Sequence, residues 1–156
     1  MSVALDSSDI KIRPATLEDA EAIAILSHQL GYTVSTIAVE QRLHQILSDN
    51  HHIIYVAASS DYRAIAWIHV CVCHSLLIDF HAEIGGLVVA ESDRGIGIGR
   101  KLLHHAENWA VTRGCQSLLV RSNIARPAAP RFYQKCGYTQ MKTSLVFHKF
   151  LSSSEL

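Results

Sequence analysis

Residues 94–105 read Arg94-Gly95-Ile96-Gly97-Ile98-Gly99-Arg100-Lys101-Leu102-Leu103-His104-His105, just after an apolar run from Ile84 to Ala90. A strand, a glycine-rich turn and a helix start fit this stretch. Glycines at alternate positions leave backbone N–H groups uncovered. The helix that follows adds its own unpaired N–H groups and the positive end of its dipole. Such a cradle suits phosphate oxygens. The loop therefore predicts a phosphate-bearing cofactor held by Arg94, Gly95, Ile96, Gly97, Ile98 and Gly99. Arg100 and Lys101 either reach the phosphates from the helix start or stand in solvent. Hydrolysis at a P-loop is excluded, because no Lys-Ser or Lys-Thr follows the glycines to hold magnesium. A dinucleotide fingerprint fits poorly too. The spacing is G-x-G-x-G, more than halfway along the chain and behind an arginine.

The elements that must position this loop can be read from the hydrophobic pattern. Ile10 to Arg13 is a short strand. Thr16 opens a helix with Asp19 in its first turn, and Gly31 closes it. A second helix runs from Ser35 to Leu47, with Val39, Leu43 and Ile46 at helical spacing. Ile53–Ser59 and Arg63–Cys73 read as antiparallel strands, and His81–Val89 as the next strand. A helix covers Ile98–Arg113, with Leu102, Leu103, Ala106, Trp109 and Ala110 as its buried stripe. Ser117–Ser122 is a strand and Ala128–Lys135 a short helix. Tyr138–Met141 and Ser144–Phe150 read as the last strands. The order is β-α-α-β-β-β-α-β-α-β-β, an α/β class with a mixed sheet flanked by helices. Residues 1–9 read as a loose N-terminus and 10–156 as one domain.

Several motifs fall in a telling order. Arg94-x-x-Gly97-x-Gly99 is followed about thirty-five residues later by Ala129-x-x-Phe132-Tyr133-x-x-x-Gly137-Tyr138. Ile12-Arg13-Pro14-Ala15-Thr16-x-x-Asp19-Ala20 opens the chain, and Ala82-Glu83-Ile84 leads into Val89. Together these resemble the GNAT superfamily of acyl-CoA-dependent N-acetyltransferases, over roughly residues 10 to 150. The resemblance implies a mostly antiparallel sheet whose splayed fourth and fifth strands hold the pantetheine arm of acetyl-CoA. Backbone groups of Leu87, Val88 and Val89 would bond its amides, and Asn123 its arm, unless Asn123 serves only as a strand-ending turn residue. Between Asn123 and Tyr133 lie nine residues, a longer loop than many such sequences carry.

Acetyl transfer to an amine needs the amine deprotonated, the carbonyl polarised and the leaving thiolate protonated. The resemblance assigns Tyr133 as general acid, and an ordinary phenol is protonated at neutral pH. Glu83, on the strand lining the cleft, is the leading base, directly or through a water. His81, two residues earlier on the same strand face, is its rival. The acceptor stays open among a small amine, an amino acid and a peptide or protein N-terminus. A strongly acidic aminoglycoside pocket finds thin support in Glu40 and Asp49. The first two helices, the loop from Gly31 to Thr36 and the last strands are expected to recognise the acceptor. The alternative is an acyl-CoA sensor or partner-docking module without catalysis.

Composition narrows the classes. Fourteen basic and fourteen acidic residues give zero net charge, unlike a nucleic-acid binder. The four cysteines suit a reduced, cytoplasmic setting. His69-x-Cys71-x-Cys73-His74 suggests a metal at first sight. Val70 and Val72 alternate with those residues, so the pattern reads as a strand face, and no metal is expected. The N-terminus carries Asp6 and Asp9 rather than a basic-then-apolar leader. No apolar run is long enough to span a membrane. The apolar run Leu145–Phe150 offers an edge for pairing, which predicts a homodimer.

Overall fold

Alternation along one strand sets the centre of the fold. In Ala64–Cys73, Ala64, Ala66, Ile68 and Val70 are buried, while Ile65, Trp67, His69 and Cys71 between them are half-buried. A strand with both faces at least partly covered is packed by other parts of the chain on both sides of its sheet. The structure, a computed structural model, describes residues 5–152. Its chain divides into two compact units, Met1–Arg121 and Ser122–Leu156.

The first unit holds β1 (Lys11–Pro14), α1 (Ala20–His28), α2 (Thr36–Leu47), β2 (His52–Ala58), β3 (Ala64–Cys73), β4 (His81–Val89), α3 (Ile98–Thr112) and β5 (Leu118–Val120). The sheet order is β1-β2-β3-β4-β5. All neighbours are antiparallel except β4 and β5, which are parallel. The fold is therefore mixed α/β, as expected. Ile23, Ala24, Val39 and Leu43 from α1 and α2 pack with Ile54 and Val56 of β2, and Trp67 joins them. α3 contributes Ile98, Leu102, Leu103, Ala106 and Ala110 as its buried stripe, at helical spacing.

Where the chain enters α1, a buried carboxylate fixes the turn. Asp19 accepts two bonds from Arg13, both 2.8 Å, and one from the Thr16 N–H at 2.8 Å. Burial alone would raise its pKa. The Arg13 guanidinium and the Thr16 amide outweigh that and hold the carboxyl below its ordinary value. A depressed folded-state pKa gives stability that is present above the unfolded carboxyl value and lost as pH falls through the folded one. Asp19→Ala is expected to cost about 3 kcal/mol in urea unfolding at neutral pH, because it leaves Arg13 without its partner. The gap to wild type should shrink in acid. Equal midpoints at neutral pH would show that the pair is solvent-screened and inert.

One bend in β4 matters for the site. His69 pairs with Gly86 and Val70 with Ile84, so Gly85 is an extra residue opposite β3. Such a bulge kinks its strand. Trp67 presses on the same place: a Cβ on Gly86 would lie 2.5 Å from the indole ring, so a side chain there fits only if the indole moves. β5 pairs with β4 only from Ala82 to Ile84. Beyond the bulge, β4 continues against β3 to Val89, and among the described residues no strand occupies its other edge. The separation of the fourth and fifth strands thus begins at Gly85.

The second unit contains α4 (Ala128–Lys135), with the bounds expected. The two final strands expected at Tyr138–Met141 and Ser144–Phe150 are not formed. Residues 138–152 contribute nothing to the sheet. Leu145, Val146, Phe147, Phe150 and Leu151 lie between 81% and 89% exposed. A strand is stabilised by its neighbour's N–H and C=O groups and by cross-strand contacts, not by apolar composition alone. Here the composition is present and the ladder is missing. Of the expected loose N-terminus, residues 1–4 lie outside the described residues, while Ser7–Asp9 form a 3-10 turn.

Candidate active site

The bulged strand leads straight into the glycine loop. After Val89 the chain makes a short 3-10 turn, Glu91–Asp93, and reaches Arg94. The Arg94 side chain folds back. Its Nε donates to the Val89 carbonyl at 3.1 Å and its Nη2 to Gln29 Oε1 at 3.2 Å. Gln29 Oε1 also accepts the Glu91 N–H at 3.0 Å. Arg94 and Gln29 therefore clamp the loop to the end of β4. Gln29, at the end of α1, gave no signal in the sequence; only the fold brings it across 65 positions to Arg94.

Gly95 and Gly97 both take positive φ, +85° and +89°, which side chains rarely adopt. A Cβ at either position would meet nothing within 4 Å, so the glycines serve backbone shape and an open approach rather than internal packing. Gly97 is the N-cap of α3, and the first bond there runs from the Lys101 N–H to the Gly97 carbonyl at 3.1 Å. The N–H groups of Ile98 and Gly99 come before it and have no carbonyl to reach within the helix. Ile98 itself is buried and anchors the turn, and Arg100 is exposed. Lys101 turns away from the loop and gives its ammonium to the Ser7 carbonyl. Leu87 and Val89 are half-buried and Val88 is buried.

Glu83 and His81 lie at the start of β4. His81 is 2% exposed. Its Nδ1 lies 3.1 Å from the Asp79 carbonyl and its Nε2 3.3 Å from Glu83 Oε1. The other Glu83 oxygen accepts from Arg121 Nη1 at 2.8 Å. Burial opposes ionisation of Glu83, but the bonds from Arg121 and His81 win and hold its pKa below the ordinary value. The two rivals for the base are thus one hydrogen-bonded pair. Arg121 was missed in the sequence. Glu83 pairs with Leu119 across the parallel register, so Arg121 follows two residues later on the same face, which only the pairing reveals. Further along that face of the sheet, His69 Nε2 lies 2.9 Å from His52 Nδ1. Burial, then the His52 charge, pushes His69 down to about 4.

In the second unit, Tyr133 sits on α4 with its ring edge-on to Phe132 and Tyr138, at 5.1 and 5.7 Å between centroids. Burial, with a smaller contribution from Cys136, pushes its phenol up to about 12. Asn123 Oδ1 accepts the Ala125 N–H at 2.9 Å, a local turn bond. An open groove of about 690 Å³, lined by Pro14–Glu18, Ile46, Leu47 and His52–Ile54, shares no residue with the glycine loop or with Glu83.

The model of the acetyltransferase (GNAT) family matches residues 19–138, most of the chain. The chain belongs to the GNAT acetyltransferase family. No curated protein matches it in sequence. Solved structures share its fold. Aminoglycoside 6'-N-acetyltransferase AAC(6')-Ih from Acinetobacter baumannii superposes with a TM-score of 0.80 at 18% identity, covering 92% of this chain and 99% of the other. Glucosamine-6-phosphate N-acetyltransferase from Arabidopsis thaliana gives 0.78 at 22%, covering 89% and 97%. AAC(6')-Iy, in complex with the bisubstrate analogue CoA-S-monomethyl-acetylneamine, gives 0.79 at 18%, covering 91% and 99%. For this GNAT chain, no helix among the described residues is long and apolar enough to cross a membrane.

Proposed function

We propose that this chain transfers the acetyl group of acetyl-CoA to an amine, by direct attack in a ternary complex. The observation that carries the reading is the edge of β4 from Gly85 to Val89, which no strand occupies among the described residues and which runs into the glycine loop and the first turn of α3. An extended pantetheine arm can hydrogen-bond to such an edge as an added strand does. The pyrophosphate then meets the N–H groups of the loop and the helix dipole. One structural relative, AAC(6')-Iy, is bound to a CoA-linked bisubstrate analogue, which supports this reading.

Each residue has a part. Leu87, Val88 and Val89 offer backbone groups to the arm. Gly95 to Gly99 and the start of α3 hold the phosphates, with Arg94 clamping the loop and Arg100 near the helix start. Glu83, kept ionised by Arg121 and His81, takes the amine proton directly or through a water. Tyr133 protonates the departing thiolate; its part rests on the Phe-Tyr-x-x-x-Gly-Tyr motif and on the chemistry of a phenol. The acceptor is a small molecule or peptide bearing a primary amine.

Direct attack predicts that acetyl-CoA and amine must both be bound before any thiol appears. Initial rates at varied concentrations of both should give intersecting double-reciprocal lines. Parallel lines, with a burst of free CoA before amine is added, would mean a covalent acetyl-enzyme instead.

A further inference from the structure

The thiols of β3 and the His81–Glu83 pair of β4 meet on one face of the sheet. Cys71 pairs directly with Glu83 and Cys73 with His81 across the antiparallel register. Their side chains form a two-by-two block. Cys71 Sγ and Cys73 Sγ are 3.9 Å apart. Ligand-type atoms of Cys73, His81 and Glu83 all lie within 4.8 Å of one another.

Three features make this block more than a polar strand face. First, the Asp79 carbonyl can only accept, so His81 Nδ1 carries the proton in that bond and Nε2 points at the carboxylate. That nitrogen and the carboxylate oxygen, 3.3 Å apart, need a positive centre between them, which a shared proton supplies and a metal cation can replace. Second, both groups are already oriented from behind, His81 by the Asp79 carbonyl and Glu83 by Arg121. Ligating histidines and carboxylates are commonly held in this way. Third, the distances suit a small soft cation. Zinc bond lengths of about 2.0–2.3 Å place tetrahedral ligand atoms about 3.3–3.8 Å apart. The His81–Glu83 distance already falls in that range.

We propose that Cys73 Sγ, His81 Nε2 and Glu83 Oε1 form a binding site for zinc or a similar thiophilic divalent cation, with the fourth position open. Binding displaces to solvent the Cys73 proton and the proton between His81 Nε2 and Glu83 Oε1, and the thiolate, the neutral imidazole and the carboxylate supply the three donor pairs. Calcium and magnesium, which take oxygen ligands, are not accommodated. The site shares Glu83 with the proposed base. Binding is therefore measured without acetyl-CoA or amine, and its failure would leave the transferase reading untouched.

The full-length chain, stripped with chelator and kept reduced, is titrated with Zn²⁺ by calorimetry. One equivalent should bind. Cys73→Ser and His81→Asn should each weaken it by more than the roughly 10- to 100-fold typical of losing an outer-shell partner. Cys136→Ser should bind as wild type does. Circular dichroism checks the fold of each variant. A second measurement needs no variant: Co²⁺ added to wild type should give a thiolate-to-cobalt charge-transfer band that one equivalent of Zn²⁺ abolishes. No such band, or zinc binding unchanged in both folded variants, would overturn the site.

Discussion

Tyr133→Phe should turn over about 10²- to 10⁴-fold more slowly than wild type, with acetyl-CoA affinity unchanged. The substitution keeps the ring, and so the edge-on contacts with Phe132 and Tyr138. It removes the hydroxyl whose proton a leaving thiolate would take. The loss corresponds to about 3–5 kcal/mol of barrier, large for one atom. A fall in kcat with binding preserved separates a chemical role from a packing one. The pH dependence carries a sign. Burial raises the Tyr133 pKa to about 12, so the phenol stays protonated well past the ordinary tyrosine value. Wild-type rates should show no alkaline fall from this group up to about pH 10. If Tyr133→Phe keeps the wild-type rate while chemistry is rate-limiting, Tyr133 only packs, and a bound water becomes the acid.

The second large effect is expected at Gly97. Gly97→Val forces a β-branched residue to φ +89°, at a backbone cost of about 1–2 kcal/mol. Its Cβ would meet no protein atom within 4 Å beyond its chain neighbours, so the side chain is expected to enter the space assigned to the pyrophosphate. Calorimetry should show acetyl-CoA affinity down tenfold or more, about 1.4 kcal/mol. Gly114 offers a matched control. It has φ +81° and equally open surroundings, at the far end of α3. Gly114→Val should carry similar strain and bind acetyl-CoA normally. Equal affinity in folded Gly97→Val and wild type would remove the loop from the cofactor site.

The sequence was most legible where structure is local. β4 and α4 keep their expected bounds, His81–Val89 and Ala128–Lys135, because periodicity and flanking breakers lie within each segment. The glycine loop was readable for the same reason. What depends on pairing was not. Ser144–Phe150 carries strand-forming residues, yet no ladder forms there, since a strand depends on an edge that the pattern does not record. His69, Cys71 and Cys73 share a strand face as their alternation with Val70 and Val72 predicts, while His74 lies just past the strand's end. The partners that give Cys73 its setting, His81 and Glu83, come from the next strand by register alone. Arg121 and Gln29 are hidden in the same way, 38 and 65 residues from the groups they hold.

The central claim is acetyl transfer itself. The direct measurement offers acetyl-CoA to the purified chain with a panel of primary amines, spanning aminoglycosides, amino sugars, polyamines, amino acids and peptide N-termini, and reads free CoA thiol beside the mass of each amine. The account predicts at least one amine that gains an acetyl group, with one thiol released per acetyl transferred and no release without amine. Saturable acetyl-CoA binding with no amine acetylated across the panel would contradict it and leave an acyl-CoA sensor in its place.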